Sequence, residues 1–430
     1  MAEENENPGA QQGASPEPKF AAYIGIDWAD QKHDWAWKPT EDGPRKTGQF
    51  AHTPEAIHEW VAQVLTAFGD RPVAVALEQA HGSLLFQLMK YPNLVLYPVH
   101  PNLVSNYRKS FRPSGAKSDP IDRDILLDLL VRHRDKLRPL HPDTVETRTL
   151  QFVVEERRQW VDDRTCLGQR LTACLKLYYP QALVWFPDIT APIALGWLER
   201  WPALEQAQKA RPATIENFLV EHGRSEADKI QLQLQQIENG RPAVTDAAVI
   251  DSCLLNVQAL VGQIKSLRLS IAEYDRRIAS LVQSHQDFAI FDSLPGAGAA
   301  MAPRLIAALG TQRERFADAA SLQCFSGIAP VTSQSGNQHW VHWRWACPKF
   351  TRQTFHEWAD HSRKKCDWAR DFYRQKRDAG KSHHAALRAL AFKWIRILFR
   401  CWKDRVPYNE ALYLSTVRNR SLPKSSLATA

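Results

Sequence analysis

Residues 23–50 read YIGIDWADQKHDWAWKPTEDGPRKTGQF, and the fold turns on how this stretch is divided. Three short runs, Tyr23–Asp27, His33–Trp37 and Lys46–Phe50, carry aromatic and β-branched residues and are separated by Asp, Gly and Pro, so they read as three strands joined by turns. A helix follows, with Thr53 as cap and Pro54 at its first position. Ile57, Trp60, Val61, Val64, Leu65 and Phe68 give that helix one apolar stripe. Further on, the pattern predicts a strand at Val73–Leu77, a helix at Gly82–Lys90, a strand at Leu94–Val99, and helices at Asn102–Lys109 and Asp119–His133.

Three strands, a helix, then alternating strands and helices is the order of a ribonuclease H-like α/β domain, expected over residues 20–138. Its acidic residues fall at particular places. Asp27 closes the first strand, Glu78 closes Val-Ala-Val-Ala-Leu-Glu, and Asp119 and Asp122 stand together in Lys117-Ser118-Asp119-Pro120-Ile121-Asp122. Carboxylates at adjacent strand ends, joined by two from one helix, can cage hard cations such as Mg²⁺ or Mn²⁺, and phosphodiester cleavage uses such cations to stabilise the attacking and leaving oxygens. At about 100° per residue, Asp119 and Asp122 fall in the arc of Ile125, Leu126, Leu129 and Leu130, so both are expected to face inward. A carboxylate on a core-facing stripe needs a compensating cation, because an unpaired buried charge costs several kcal/mol. Asp124 and Asp128 fall toward the other side, where an acidic residue is ordinarily solvated.

The chain has 430 residues, 44% hydrophobic, with a formal charge of +8. That length supports more than one core, and the charge suits a polyanionic partner whose counterions basic side chains release. No apolar run is read as approaching the roughly 20 residues that span a bilayer, and the acidic N-terminus is unlike a signal peptide. A soluble, cytoplasmic, nucleoid-associated bacterial protein without membrane contact is therefore expected. Seven scattered cysteines without a CxxC pair argue against zinc knuckles and disulfides, and are read as reduced, mostly buried thiols.

Residues 1–18 are polar and read as a disordered tail, and 411–430 as a second tail. Between them, residues 145–285 read as a helical coiled-coil connector. Leu260, Ile264, Leu267, Ile271, Tyr274, Ile278 and Leu281 alternate four- and three-residue steps. A weaker seam runs from Leu150 through Val153, Trp160, Leu167, Leu171 and Cys174 to Tyr178, interrupted by Arg157 and Arg164. An antiparallel hairpin within one chain and a dimerisation arm both fit. Residues 288–405 then read as a mainly α C-terminal domain opened by Ser293-Leu294-Pro295-Gly296-Ala297-Gly298, a segment similar to a helix-hairpin-helix that can cradle phosphate.

At these residues the chain resembles the DEDD-type insertion-sequence transposases of the IS110 family, whose nuclease domain is similar to Holliday-junction resolvases. Asp27, Glu78, Asp119 and Asp122 match the family's four acidic positions. A second match runs from Ser293-Leu294-Pro295-Gly296-Ala297-Gly298 through Phe325-Ser326-Gly327-Ile328-Ala329-Pro330 to Gln334-Ser335-Gly336, and places the family's catalytic serine at Ser335. The resemblance implies that Ser335 attacks a phosphodiester to give a covalent phosphoserine, with Mg²⁺ at the acidic site. It also implies a structured guide RNA with donor and target DNA; a serine and a metal cage on separate domains would then make the protein a homo-oligomer, dimer or tetramer, with an active site shared between subunits.

Ser335 is read as part of a polar loop, with Ser333 as its nearest competitor; taken alone, such a Ser-Gly would be a turn. From Val341 to Arg400 there are fifteen Lys or Arg against five Asp or Glu, interleaved with aromatic rings, a composition that suits phosphates and unpaired bases. Trp340, Trp343, Arg344, Trp345, Lys349 and Arg352 are the expected nucleic-acid contacts. Trp394 is expected to be core packing, and Arg388, Lys393, Arg396 and Arg400 its more exposed flanks. Two other functions remain compatible with these residues: a nuclease using water as nucleophile, and a non-catalytic nucleic-acid-binding protein.

Overall fold

The computed structural model describes residues 19–40, 42–78, 82–111 and 119–421; the expected tail 1–18, residues 422–430 of the expected tail 411–430, and Lys117-Ser118 of the acidic motif lie outside these residues. The chain divides into two compact units at Pro142/Asp143.

The first unit is built on β1 (Ala22–Asp27), β2 (Lys32–Lys38), β3 (Lys46–Ala51), β4 (Val73–Leu77) and β5 (Leu94–Pro98), in the sheet order β3-β2-β1-β4-β5. β1, β2 and β3 pair antiparallel, whereas β1, β4 and β5 run parallel. Helices α1 (Pro54–Phe68), α2 (Ser83–Leu88), α3 (Pro101–Phe111) and α4 (Asp119–His133) follow the expected order. Thr53 accepts a hydrogen bond from the Ala56 amide at the start of α1, and Gly69 ends that helix at φ +66°. Both sheet faces are covered, which is why the parallel strands are apolar throughout. Ile24, Ile26, Trp35 and Val75 pack with Ile57, Trp60 and Val61 on one face. Ala36, Ala74 and Ala76 pack with Leu126, Leu129 and Leu130 on the other.

Gly25 sets the distance between β1 and α4. A Cβ there would fall 2.5 Å from the Leu127 amide nitrogen and closer still to the Arg123 carbonyl oxygen. Backbone therefore meets backbone, two residues before Asp27.

In the second unit, α5 (Val145–Tyr178) and α11 (Ala247–Gln283) pack along each other. Thr147 bonds His285, Arg157 grips Asp275 at 2.5 and 3.2 Å, and Cys174 reaches the Cys253 carbonyl, so the helices run antiparallel within one chain. Of the two arrangements that the seam allows, the intrachain hairpin is the one present. Arg157, which interrupts the apolar seam, is satisfied by that ion pair. Five short helices, α6 (Gln181–Trp185), α7 (Pro192–Arg200), α8 (Leu204–Lys209), α9 (Pro212–Glu221) and α10 (Ala227–Glu238), form a second core with the middle of the hairpin around Trp197, Leu171 and Leu260. By length and composition α11 is apolar enough to cross a membrane, contrary to the sequence reading. Its Val257, Leu260, Val261 and Ile264 are buried in that second core.

The C-terminal elements are α12 (Phe288–Asp292), α13 (Gly298–Leu309), α14 (Ala319–Phe325), β6 (Val331–Ser335), β7 (Gln338–His342), α15 (Lys349–Ser362), α16 (Asp367–Asp378), α17 (His383–Asp404) and α18 (Glu410–Ser421). Leu150, Val154, Ile278 and Val282 of the long helices enter the same core as Leu305, Trp358, Trp394 and Trp402. The expected connector and C-terminal domain thus share one core, and part of the expected second tail is helical. All seven cysteines are free, with three buried, two half-buried and two exposed.

Candidate metal centre and nucleic-acid surface

The carboxylate site forms where β1 and β4 end side by side. Asp27 is buried, Glu78 follows β4 and is half-buried, and Asp122 on α4 is 1% exposed. One oxygen from each of the three lies within 4.8 Å of the others. Gly25 makes this possible, since it lets α4 approach β1 closely enough for Asp122 to reach Asp27. Arg108 of α3 binds Asp122 Oδ1 through Nη2 at 2.6 Å and Nε at 2.7 Å, while Asp122 Oδ2 is buried without a hydrogen-bond partner. A buried carboxylate oxygen left unpaired is costly. Three carboxylates facing one small volume, one with an unspent oxygen, fit a hard divalent cation.

Asp119 does not join them. It is exposed as the first residue of α4. The angular argument gave its direction around the helix and ignored its position along the axis, where the sheet no longer reaches. Asp124 is also not simply solvated, because it pairs with Arg45 at 3.0 Å and Arg123 at 3.3 Å. Asp34, in register with Asp27, is buried and held by Arg123 at 3.2 Å and Gln49 at 3.0 Å. On the other sheet face, His33 is fully buried, and burial together with the neighbouring His52 lowers its pKa to about 4.

Ser335 does not lie in an irregular loop. It is the last residue of β6, exposed, in an antiparallel hairpin where Ser335 pairs with Gln338 and Ser333 with Trp340. Gly336, at φ +56°, and Asn337 form the two-residue turn, the type of connection that matches strand twist. The mainly α C-terminal part thus carries a two-stranded hairpin among its helices.

Three expected nucleic-acid contacts face solvent: Trp340 at 45% exposure, Trp345 at 80%, and Lys349. The other three are engaged internally. The guanidinium groups of Arg388 and Arg352 lie over the Trp343 ring at 4.2 and 5.2 Å. Arg344 donates to the Ala329 and Pro330 carbonyls at 3.1 and 3.3 Å, and Arg352 to the Arg344 carbonyl at 3.3 Å. These bonds anchor the base of the hairpin. Arg388 and Lys393 are likewise half-buried rather than exposed flanks, Lys393 lying over Trp368 and Phe372, and desolvation lowers the pKa of both cations. Trp394 is fully buried and bonds Ser362, as core packing requires. The Pro295–Ala297 turn is committed to packing: a Cβ on Gly296 would fall 2.6 Å from the His361 carbonyl carbon, and Trp358 donates to the Pro295 carbonyl.

Sequence reasoning missed Arg108, fourteen residues before Asp122, because nothing local marks a cation that meets its carboxylate through a separate helix.

A family model described as a transposase, of DEDD type from IS110 elements, matches residues 24–180. A second, described as Transposase IS116/IS110/IS902 family, matches residues 289–374. Between them they cover more than half of the chain. The protein named as the mini-circle transposase for IS117 of Streptomyces coelicolor is 27% identical over 403 residues, spanning 92% of this chain and 97% of that protein. An insertion element IS900 protein of Mycobacterium paratuberculosis is 25% identical over 90% of this chain and 97% of its own length. An insertion element IS116 protein of Streptomyces clavuligerus is 24% identical over 89% and 95%. With the two models in order along it and relatives aligned along nearly its whole length, this chain belongs to the IS110 family of insertion-sequence transposases.

Proposed function

We propose that this transposase cuts and rejoins DNA through a serine nucleophile, with a divalent cation, Mg²⁺ or Mn²⁺, held by Asp27, Glu78 and Asp122 and approached from the rim by Asp119. The observation that carries the proposal is the convergence of three carboxylates from the ends of β1 and β4 and from α4, one of which, Asp122, also has a buried oxygen without a partner. The strand order and the position of the acids at the strand ends support a ribonuclease H-like reading of the first unit. When bound, the cation would supply charge stabilisation for the attacked phosphate. Ser335 attacks phosphorus through Oγ, the bond to the leaving sugar oxygen breaks, and a phosphoserine ester links protein to DNA. Its place beside the tight turn of an exposed hairpin leaves the hydroxyl accessible. Trp340, across from Ser333 on the same hairpin, offers a ring for stacking, and Trp345 and Lys349 follow the hairpin's base with a further ring and a charge.

A structured guide RNA, oligomeric assembly and an active site shared between subunits belong to the same reading, through family membership.

The test is to incubate protein, Mg²⁺ and DNA of the element's ends with its flanking transcript, denature, and look for DNA attached to protein. Attachment that disappears in Ser335→Ala supports serine attack. Cleavage without attachment replaces it with a water-attack nuclease, and neither outcome leaves only a nucleic-acid-binding role.

A further inference from the structure

On the opposite sheet face from Asp122, three side chains form a line. His33 Nε2 lies 2.7 Å from His52 Nδ1, and His52 Nε2 lies 2.9 Å from the Ser83 hydroxyl. A serine backed by two histidines has the outline of a nucleophile with its base. The direction of the protons decides otherwise. The Ala29 amide can only donate, and it donates to His33 Nδ1 at 3.4 Å. A neutral His33 therefore carries its proton on Nε2 and donates to His52 Nδ1. His52 in turn carries its proton on Nε2 and donates to Ser83 Oγ. A proton leaving Ser83 would have to run this line backward and end on His33 Nδ1, which faces an N–H and has no room for it. Ser83 is thus not activated as a nucleophile.

The Gln87 side chain also donates to Ser83 Oγ, at 3.3 Å. With two donors on its oxygen, the Ser83 hydroxyl has only its own hydrogen left to offer. Ser83 is exposed, so that hydrogen is open to a ligand from solvent. His33 at the other end is fully buried, which fixes the line from below. The line lies at the sheet edge where β1 ends in Asp27, with Lys32 of β2 in register with Ala51 of β3 and His52 directly after it. Ala29 comes two residues after Asp27, His33 precedes the residue in register with Asp27, and Ser83 follows Glu78 by five. Trp28, at the same strand end, is 41% exposed.

We propose that Ser83, oriented by His52 and His33, is a nucleic-acid backbone contact: a fixed one-way donor to a non-bridging phosphate oxygen of the strand entering the carboxylate site. A serine with its acceptor positions filled selects an acceptor ligand, and in a chain that acts on DNA that acceptor is the phosphodiester. The inference rests on the proposed use of the Asp27 site, but it is read by binding and not by cleavage.

The full-length protein is titrated into a labelled mixed-sequence DNA duplex in Ca²⁺, and Kd is followed as a function of salt. Ser83→Ala should raise Kd roughly tenfold, the loss of one hydrogen bond to a charged acceptor. The slope against salt should stay unchanged, since a neutral hydroxyl displaces no counterion. The thermal midpoint should also stay, and Ser83→Thr should restore affinity. His33→Phe should weaken binding in the same direction and add little in combination with Ser83→Ala, because both remove one oriented donor. Equal Kd for wild type and Ser83→Ala, or failure of Ser83→Thr to restore it, overturns the contact. Normal affinity in a folded His33→Phe protein overturns the orienting line. If the wild type binds no DNA, both the contact and the use of this site are wrong. If DNA binding depends on Ser83 but no covalent adduct forms with Ser335, only the serine-attack reading fails.

Discussion

Arg108 grips one oxygen of Asp122 with two nitrogens, at 2.6 and 2.7 Å, and leaves the other oxygen buried and without a partner. Half of this carboxylate is thus committed to the protein and half is available to a ligand. Arg108 should act through Asp122, fixing its rotamer and supplying, among the described residues, the positive charge paired with it. Replacing Arg108 by Leu strands a buried charge, a change that costs about 3–5 kcal/mol in comparable pairs. The thermal midpoint of Arg108→Leu should fall in EDTA and recover in millimolar Mg²⁺ or Mn²⁺ by more than that of the wild type does. An equal metal response in both proteins would separate Arg108 from the metal centre.

The same geometry ranks the carboxylates. Asp27→Asn, Glu78→Gln and Asp122→Asn should each lower cleavage at least roughly a hundredfold at any Mg²⁺ concentration, since each removes a ligand from the converged set. Asp119→Asn should be impaired at low Mg²⁺ and regain activity as Mg²⁺ rises, because Asp119 stands outside the cluster on the exposed first turn of α4. Asp124→Asn should stay within a few-fold of wild type. A metal titration of cleavage checks the order, and an Asp119→Asn protein that no Mg²⁺ rescues would make Asp119 an equal ligand.

Much of this was legible in the sequence, and the failures have physical causes. The strands and helices of the first unit were readable because Thr53, Pro54 and the apolar spacing of α1 are local signals, and β1 and β4 are apolar along their length. Asp27 and Glu78 were readable as ends of those strands. Asp119 and Asp122 were not separable, because an angle around a helix says nothing about where the facing sheet stops. The β6–β7 hairpin was hidden by its polarity: Thr332, Ser333 and Gln334 face solvent on both sides, so no alternation marks a strand. The two-residue Gly336-Asn337 turn was the signal available. Trp343 read as a contact for nucleic acid and Arg388 as an exposed flank of Trp394, yet the two meet each other across forty-five residues of chain.

Buried His33 gives the fold a dependence on pH with a definite sign. Its pKa in the folded state is about 4, against an ordinary 6.5. As pH falls through 6.5 the unfolded chain takes up a proton that the folded chain refuses until about 4. The stabilisation is therefore complete above pH 6.5 and is lost progressively down to about 4, at up to about 1.4 kcal/mol per pH unit. His285 and His356, also lowered by burial, add in the same direction. Urea midpoints between pH 7 and 4.5 should fall for the wild type, and His33→Gln should remove about one proton's share of the slope. An unchanged slope would place the titration elsewhere.

Ile271 lies on the buried side of α11, 6% exposed, in a hairpin closed within the chain. A charge there cannot leave the interface without separating α5 from α11. Ile271→Asp should therefore lower stability by several kcal/mol, and the loss should appear at all protein concentrations rather than as dissociation. Thermal unfolding combined with light scattering separates the two. A variant of unchanged midpoint that only halves in mass would return the seam to an interface between chains.

Ser335→Ala removes a hydroxyl from an exposed strand end, touches no core residue, and leaves the pairing with Gln338 to the backbone. The fold, Mg²⁺ binding and DNA affinity should all be retained, while covalent attachment and strand joining fall by three orders of magnitude or more, roughly the scale seen when a covalent nucleophile is removed. Ser335→Cys should keep a trace of activity, since a thiolate is nucleophilic but differs in size and metal preference. Ser333→Ala is the matched control, two residues earlier on the same strand. Strand alternation points its side chain to the same face as Ser335, so the two hydroxyls share a surface and differ in distance from the turn. Loss of attachment in Ser333→Ala with full activity in Ser335→Ala would move the nucleophile along the strand. Normal joining in both single variants and in the double variant would remove serine from the reaction and leave water as the attacking group at the carboxylate site.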